Sequence, residues 1–198
     1  MWYWILKAIL IVLGRLFFRI KVEGLQNIPR KSNFIIVSNH LSFLDPLLIM
    51  VFVPQKIHCI ALRSLYKMSW IKLFLYMGEA LPSGHISRKA AHLLQRGKNV
   101  GLFPEGGVSR DGKLGEFRRG TALLALKTGR PIVPCAVFGT YKALPFGKRF
   151  PKLFQPLKLK IGKPIYILKE FDEIIDDIYL RNGVFRIRNA VKEMLDAG

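Results

Sequence analysis

His40 and Asp45 stand five positions apart, and each sits where the chain changes character. Residues 34–37, Phe-Ile-Ile-Val, form a short apolar run that predicts a buried strand ending just before His40. Asp45-Pro46 then opens a second apolar run over residues 47–53, which predicts a helix. Asp suits the cap of such a helix and Pro its first position. An imidazole at a strand end and a carboxylate across a tight turn fall within hydrogen-bond reach. The carboxylate fixes one ring nitrogen as a donor and leaves the other free to take a proton. That is a general base with its orienting partner, in a loop open to substrate. A turn histidine beside a capping aspartate is the simpler reading of the same two residues.

A second group follows another apolar run, residues 99–103. Glu105-Gly106-Gly107 after a strand makes a turn whose backbone N–H groups can approach an anion closely. Ser109, Arg110, Lys113, Arg118 and Arg119 come soon after. Basic side chains there can grip a phosphate, and guanidinium suits two parallel hydrogen bonds. A solvated, charged loop is the alternative.

The elements that must position these groups alternate along the chain. Strands are expected at residues 18–23, 34–37, 56–62, 79–81, 99–103 and 132–138, with helices at 47–53, 66–77, 120–128 and, capped by Ser87 and stopped by Gly97, over the residues between. Residues 157–161 alternate Leu or Ile with Lys, the pattern of an edge strand. Val184, Ile187, Val191 and Leu195 mark a C-terminal amphipathic helix. Alternating elements imply a single α/β domain with a mostly parallel sheet flanked by helices. In such sheets sites collect at the carboxyl ends of the strands, where both polar groups fall.

Composition narrows the partners. With 198 residues, one domain can bury about 70% of its unfolded surface. Net charge is +19 and mean hydropathy is positive, a combination that favours an anionic membrane surface over nucleic acid. Residues 1–20 are apolar apart from Lys7, Arg15 and Arg19, and their uncharged run is far short of the roughly 20 residues a span needs. On a helix the three cations fall within about 120° of arc, and Trp2, Tyr3 and Trp4 suit the headgroup level. The expectation is a helix lying in the membrane interface with its cations towards the phosphates; a core helix packed on the domain is the other reading. Eight Lys and Arg between Lys142 and Lys169, with no acid among them, add a basic stripe for lipid headgroups, CoA phosphates or an acidic carrier protein. Cys59 and Cys135 lie in apolar runs and read as core residues in a reducing compartment. His58, His85 and His92 lack metal-ligand spacing, so no metal site is expected.

Three blocks in order, Asn39-His40-x-x-x-x-Asp45, Phe103-Pro104-Glu105-Gly106 and Ile132-Val133-Pro134-Cys135-Ala136, resemble the signatures of the glycerolipid acyltransferases, the family of 1-acylglycerol-3-phosphate acyltransferase. With residues 1–20 read as the anchoring helix, the resemblance implies an acyltransferase domain over 21–198. It implies transfer of a fatty acyl group from acyl carrier protein or CoA to the sn-2 hydroxyl of 1-acylglycerol-3-phosphate, without a cofactor. His40 and Asp45 become the catalytic pair, and Glu105 and Gly106 part of the acceptor site. Phe117-Arg118-Arg119-Gly120 looks like the basic segment closing the second block. Arg63 occupies the region of a phosphate-contacting Lys. Two departures bear on the acceptor: Val108 stands where the family carries a phosphate-binding Arg, with Arg110 two positions on, and the block from Gly78 to Gly84 lacks its Arg. A different lysolipid acceptor therefore stays open, as does a non-catalytic basic protein that binds membranes or nucleic acid. The expected location is the cytoplasmic face of the cell membrane, monotopic or peripheral, with anionic lipids as partners and no nucleic acid.

Overall fold

Ile35, Ile36 and Val37 are wholly buried, and the strand they build lies inside the sheet. A computed structural model describes residues 2–61, 81–82, 86–167 and 177–198. Within these the chain runs α1 (Trp2–Phe17), β1 (Arg19–Glu23), a single 3-10 turn, β2 (Ile35–Ser38), α2 (Leu44–Phe52), β3 (Ile57–Ala61) and β4 (Leu81–Pro82). It continues through α3 (Ile86–Gln95), β5 (Asn99–Leu102), α4 (Gly120–Thr128), β6 (Ile132–Phe138), the one-turn α5 (Thr140–Ala143), β7 (Pro156–Ile161) and α6 (Asp177–Asp196). The helix expected over 66–77 lies outside the described residues, as does Arg63.

The described strands form one sheet in the order β1-β7-β6-β2-β5-β3-β4, with β6–β7 its one antiparallel pairing. This is the mostly parallel α/β domain expected. A parallel sheet needs both faces covered, and the runs in β2 and β6 are apolar at nearly every position for that reason. Ile36 packs with Leu48, Ile49 and Met50 of α2 on one face. Ile35 and Val37 pack with α3, α4 and α6 on the other, through Leu94, Ala122, Ile187 and Val191. Each such side chain contributes about 1.5–3 kcal/mol when fully buried. Cys59 and Cys135 join the α2 side, and burial pushes the Cys59 thiol up to about 12.

Two expectations are corrected. β7 is no edge strand: it lies between β1 and β6. Its alternation reports one buried face, Leu157, Leu159 and Ile161, against half-buried Lys158 and Lys160, and alternation carries no information on how many neighbours a strand has. The second correction concerns α1. Lys7 turns inward and is buried, donating to the carbonyls of Val53 (2.5 Å), Pro54 (3.1 Å) and Gln55 (3.5 Å) at the end of α2. A cation there answers the negative end of the helix and its unpaired carbonyls. Desolvation pulls the ammonium down to about 8. Arg19 belongs to β1, so the helix carries no three-cation face. Most of what α1 leaves exposed is apolar: Ile5, Ile9, Val12, Leu13 and Leu16 recur at helical spacing, with Arg15 the exposed cation among them.

Lys7→Met keeps the stem and removes the cap, so it should lower the urea-unfolding free energy by about 1–3 kcal/mol. An unchanged midpoint and slope would show that water satisfies those carbonyls equally well.

Candidate active site

β2 and β5 are parallel neighbours, yet α2, after β2, covers one face while α4, after β5, covers the other. A reversal of this kind at neighbouring strand ends is where open α/β sheets place their binding sites. His40 leaves β2 and Phe103 leaves β5, and their rings stack at 4.1 Å between centroids, 23° between planes.

Asp45 holds the histidine. Its Oδ2 accepts from the backbone N–H of Leu41 (2.6 Å) and Ser42 (2.7 Å) and lies 3.0 Å from His40 Nδ1. The carboxylate is fully buried, in the first turn of α2. Helix α2 starts at Leu44, so Asp45 is inside it and Phe43 takes the cap position without a side-chain bond. Asp45 is thus not the expected cap; it curls back to organise the preceding loop. With two N–H donors on Oδ2, the third contact places the proton on His40 Nδ1 and leaves Nε2 as the acceptor. Oδ1 is buried without a hydrogen bond among the described residues, so the whole hydrogen-bonding load of the carboxylate there falls on Oδ2.

The loop that carries His40 is pinned at every peptide around it. Asn39, fully buried, pairs with β6 as a strand residue would: its Nδ2 donates to the Val137 carbonyl (3.0 Å) and its Oδ1 accepts from the Val137 N–H (2.8 Å). His40 N–H donates to Glu105 Oε1 (2.8 Å), and the His40 carbonyl accepts from Ser109 N–H (2.7 Å). Glu105 Oε2 accepts from Gly115 N–H (3.1 Å), so both of its oxygens hold backbone. Ser42, buried, donates its hydroxyl to the Leu144 carbonyl (2.7 Å). Asn39, Phe103 and Ser42 were given no positioning role by sequence reasoning; an Asn directly after a buried strand was the one available signal.

The other candidate residues divide. Gly106 has φ 79° and the Arg118 guanidinium lies against it, where a Cβ would come within 2.5 Å of Arg118 Cζ. Arg118 is exposed beside the turn, where an anion can meet it. Ser109 reaches His40 through its backbone while its hydroxyl donates to Asp111 (2.9 Å). Arg110 lies 5.5 Å above the Phe146 ring, which is tilted against Phe43 at 6.2 Å. Arg119 pairs with Asp177 in the first turn of α6 and is not brought to His40. Among the described residues no group of three or more His, Cys, Asp or Glu is placed to hold a metal ion.

Residues 19–138 match the family profile described as Acyltransferase. The chain belongs to the acyltransferase family. A chloroplastic 1-acyl-sn-glycerol-3-phosphate acyltransferase of Brassica napus is 31% identical over 184 residues, 88% of this chain and 52% of that protein. The enzyme of that name from Bacillus subtilis is 32% identical, over 81% of this chain and 79% of its own length. Several of these relatives are longer, and the chain spans about half the length of the plant protein. The crystal structure of the 1-acyl-sn-glycerophosphate acyltransferase PlsC from Thermotoga maritima superposes with a TM-score of 0.70 at 32% identity, covering 88% of this chain and 71% of that one. The matched fold is the α/β domain described above, and His40 and Asp45 stand where β2 leaves its sheet.

Removing the Asn39 amide strands a buried N–H and a buried carbonyl on β6. Asn39→Ala should cost about 2–4 kcal/mol in urea unfolding; a loss within error of zero would contradict the pairing. Burial raises the Glu105 carboxyl above its ordinary range, outweighing the two N–H bonds. Its contribution to stability is therefore full below the ordinary carboxylate pKa and is lost as pH rises through the raised value. Glu105→Gln should flatten that decline while lowering turnover about tenfold or more, because its amide N–H₂ opposes one of the two backbone donors. Equal stability–pH curves for the two proteins would refute the first part.

Proposed function

We propose that the protein moves a fatty acyl group from a thioester to the sn-2 hydroxyl of 1-acylglycerol-3-phosphate, giving phosphatidic acid. The observation that carries the reading is His40 Nδ1 held 3.0 Å from a buried Asp45 carboxylate where β2 and β5 end. Family membership supports the reaction class, and the names of the relatives support the acceptor.

The chemistry follows from the geometry. His40 Nε2 takes the proton of the glycerol hydroxyl as that oxygen attacks the thioester carbonyl. Asp45 stabilises the imidazolium, whose positive charge forms 3.0 Å from its buried carboxylate. As the tetrahedral intermediate collapses, the C–S bond breaks and the imidazolium returns its proton to the thiolate. The acceptor hydroxyl is itself the nucleophile, consistent with Ser42 having its O–H committed to Leu144. The acyl donor is a thioester of CoA or of acyl carrier protein, and no other cofactor takes part. Arg118 beside Gly106, with Arg110, supplies cations for the acceptor phosphate.

The apolar stripe of α1 fits an interfacial anchor, with Trp4 and Arg15 exposed alongside. No helix among the described residues is long and apolar enough to cross a membrane. The proposed location is accordingly the surface of the cell membrane on its cytoplasmic face. A different lysolipid is the second reading of the acceptor, favoured by Val108 and by the pairing of Arg119 with Asp177.

General-base catalysis contributes about 10²–10⁴-fold, so His40→Ala should lose at least about a hundredfold in turnover and still bind vesicles. Undiminished turnover would end the proposal. A panel of lysolipids, offered with CoA and carrier-protein thioesters and read by product mass, should yield phosphatidic acid fastest; a faster rate on another headgroup selects the second reading.

A further inference from the structure

The segment between α5 and β7 is apolar and aromatic, yet it faces outward. Phe150 is 85% exposed, Phe154 63%, Phe146 47% and Leu153 44%. Phe154 also has φ 61°, a left-handed conformation that costs a bulky residue and suits Gly or Asn. The ring is thus mostly exposed on a backbone conformation that costs a bulky residue. Interleaved with these rings are Lys148, Arg149 and Lys152, and no Asp or Glu occurs anywhere from Phe117 to Lys169. Rings beside cations that pair with no acid among the described residues match a surface that is apolar just below a layer of phosphates.

Its position adds to the argument. At one end the Leu144 carbonyl receives the Ser42 hydroxyl and the Phe146 ring lies against Phe43, both in the loop after His40. At the other end Phe154 N–H donates to the Phe17 carbonyl (2.7 Å), the last residue of α1. Lys152 N–H donates to the Ala143 carbonyl (2.7 Å), closing the segment on itself. The loop therefore runs from the catalytic turn to the end of the apolar α1 stripe, where Leu16 and Phe17 are exposed.

We propose that the 146–154 loop is a second contact with an anionic lipid surface, Phe150 and Phe154 entering the interface and Lys148, Arg149 and Lys152 meeting phosphates, so that the catalytic turn is held at the membrane from two sides. This rests on the membrane location put forward above but not on the identity of the acyl acceptor. It separates two tasks: α1 tethers, and the loop sets the height and tilt at which His40 meets a lipid in the bilayer. An acidic carrier protein would also be drawn to the cations, but it supplies no apolar layer for Phe150 and Phe154.

The test uses the full chain and the double variant Phe150→Ser/Phe154→Asn, in which Asn tolerates the left-handed backbone. Sedimentation with phosphatidylcholine vesicles containing phosphatidylglycerol should show partitioning lowered about tenfold or more, since each ring buries substantial apolar area. Turnover of lysophosphatidic acid should fall in vesicles and stay at the wild-type rate in detergent micelles. Wild-type partitioning by the variant would overturn the loop contact while leaving the α1 anchor standing. A wild-type protein that ignores the vesicles would overturn both. Unchanged partitioning with slower turnover confined to carrier-protein thioesters would assign the surface to the donor instead.

Discussion

One carboxylate oxygen organises this molecule's chemistry. Asp45 Oδ2 gathers the N–H groups of Leu41 and Ser42 and the Nδ1 of His40 around itself, inside a region shut off from water. A buried charge is costly unless it is hydrogen-bonded, and here the bonds that meet that cost also shape the turn. The loop between β2 and α2 cannot relax without stranding the carboxylate, and the carboxylate cannot move without releasing the imidazole. Placement in the first turn of α2 adds the favourable end of the helix dipole.

Around this centre the sheet does the long-range work. β2 and β5 send their helices to opposite faces, the arrangement at which open α/β sheets collect their sites, and both polar loops leave from these two strand ends. Glu105 and Ser109 then tie the second loop to the peptide of His40, from the N–H side and the carbonyl side respectively. Asn39 ties the same turn to β6. The histidine is held less by its own side chain than by three neighbours that fix its backbone. Rigid positioning of this kind matters for a general base, whose contribution falls steeply with misplacement.

Much of this could be read before any coordinates. The strands at residues 35–38, 99–102 and 132–138 announce themselves as apolar runs because a parallel sheet hides both faces, and the five-residue spacing of His40 and Asp45 already implied contact. What escaped depends on partners remote in the chain. Lys7 finds its carbonyls 46 to 48 positions away, so nothing in its own helix reveals that it points inward. The alternation of β7 described its faces correctly and misled on its place in the order, which β1 decides by pairing alongside it. Arg118 and Arg119 are neighbours in sequence with different fates, one against Gly106 and one on Asp177, and no local pattern distinguishes them.

The surface divides in a way that suits an enzyme working on lipids. The inner face of α1 is spent on α2 and β1, through Lys7 and Gly14, and its outer face is left mostly apolar. The central claim, that Asp45 keeps the neutral His40 ring protonated at Nδ1 with Nε2 free to accept, is most directly checked by nitrogen NMR of that imidazole. A proton on Nδ1 and a bare Nε2 are expected in the neutral ring, with the preference gone in Asp45→Asn. A neutral ring protonated at Nε2 would contradict it.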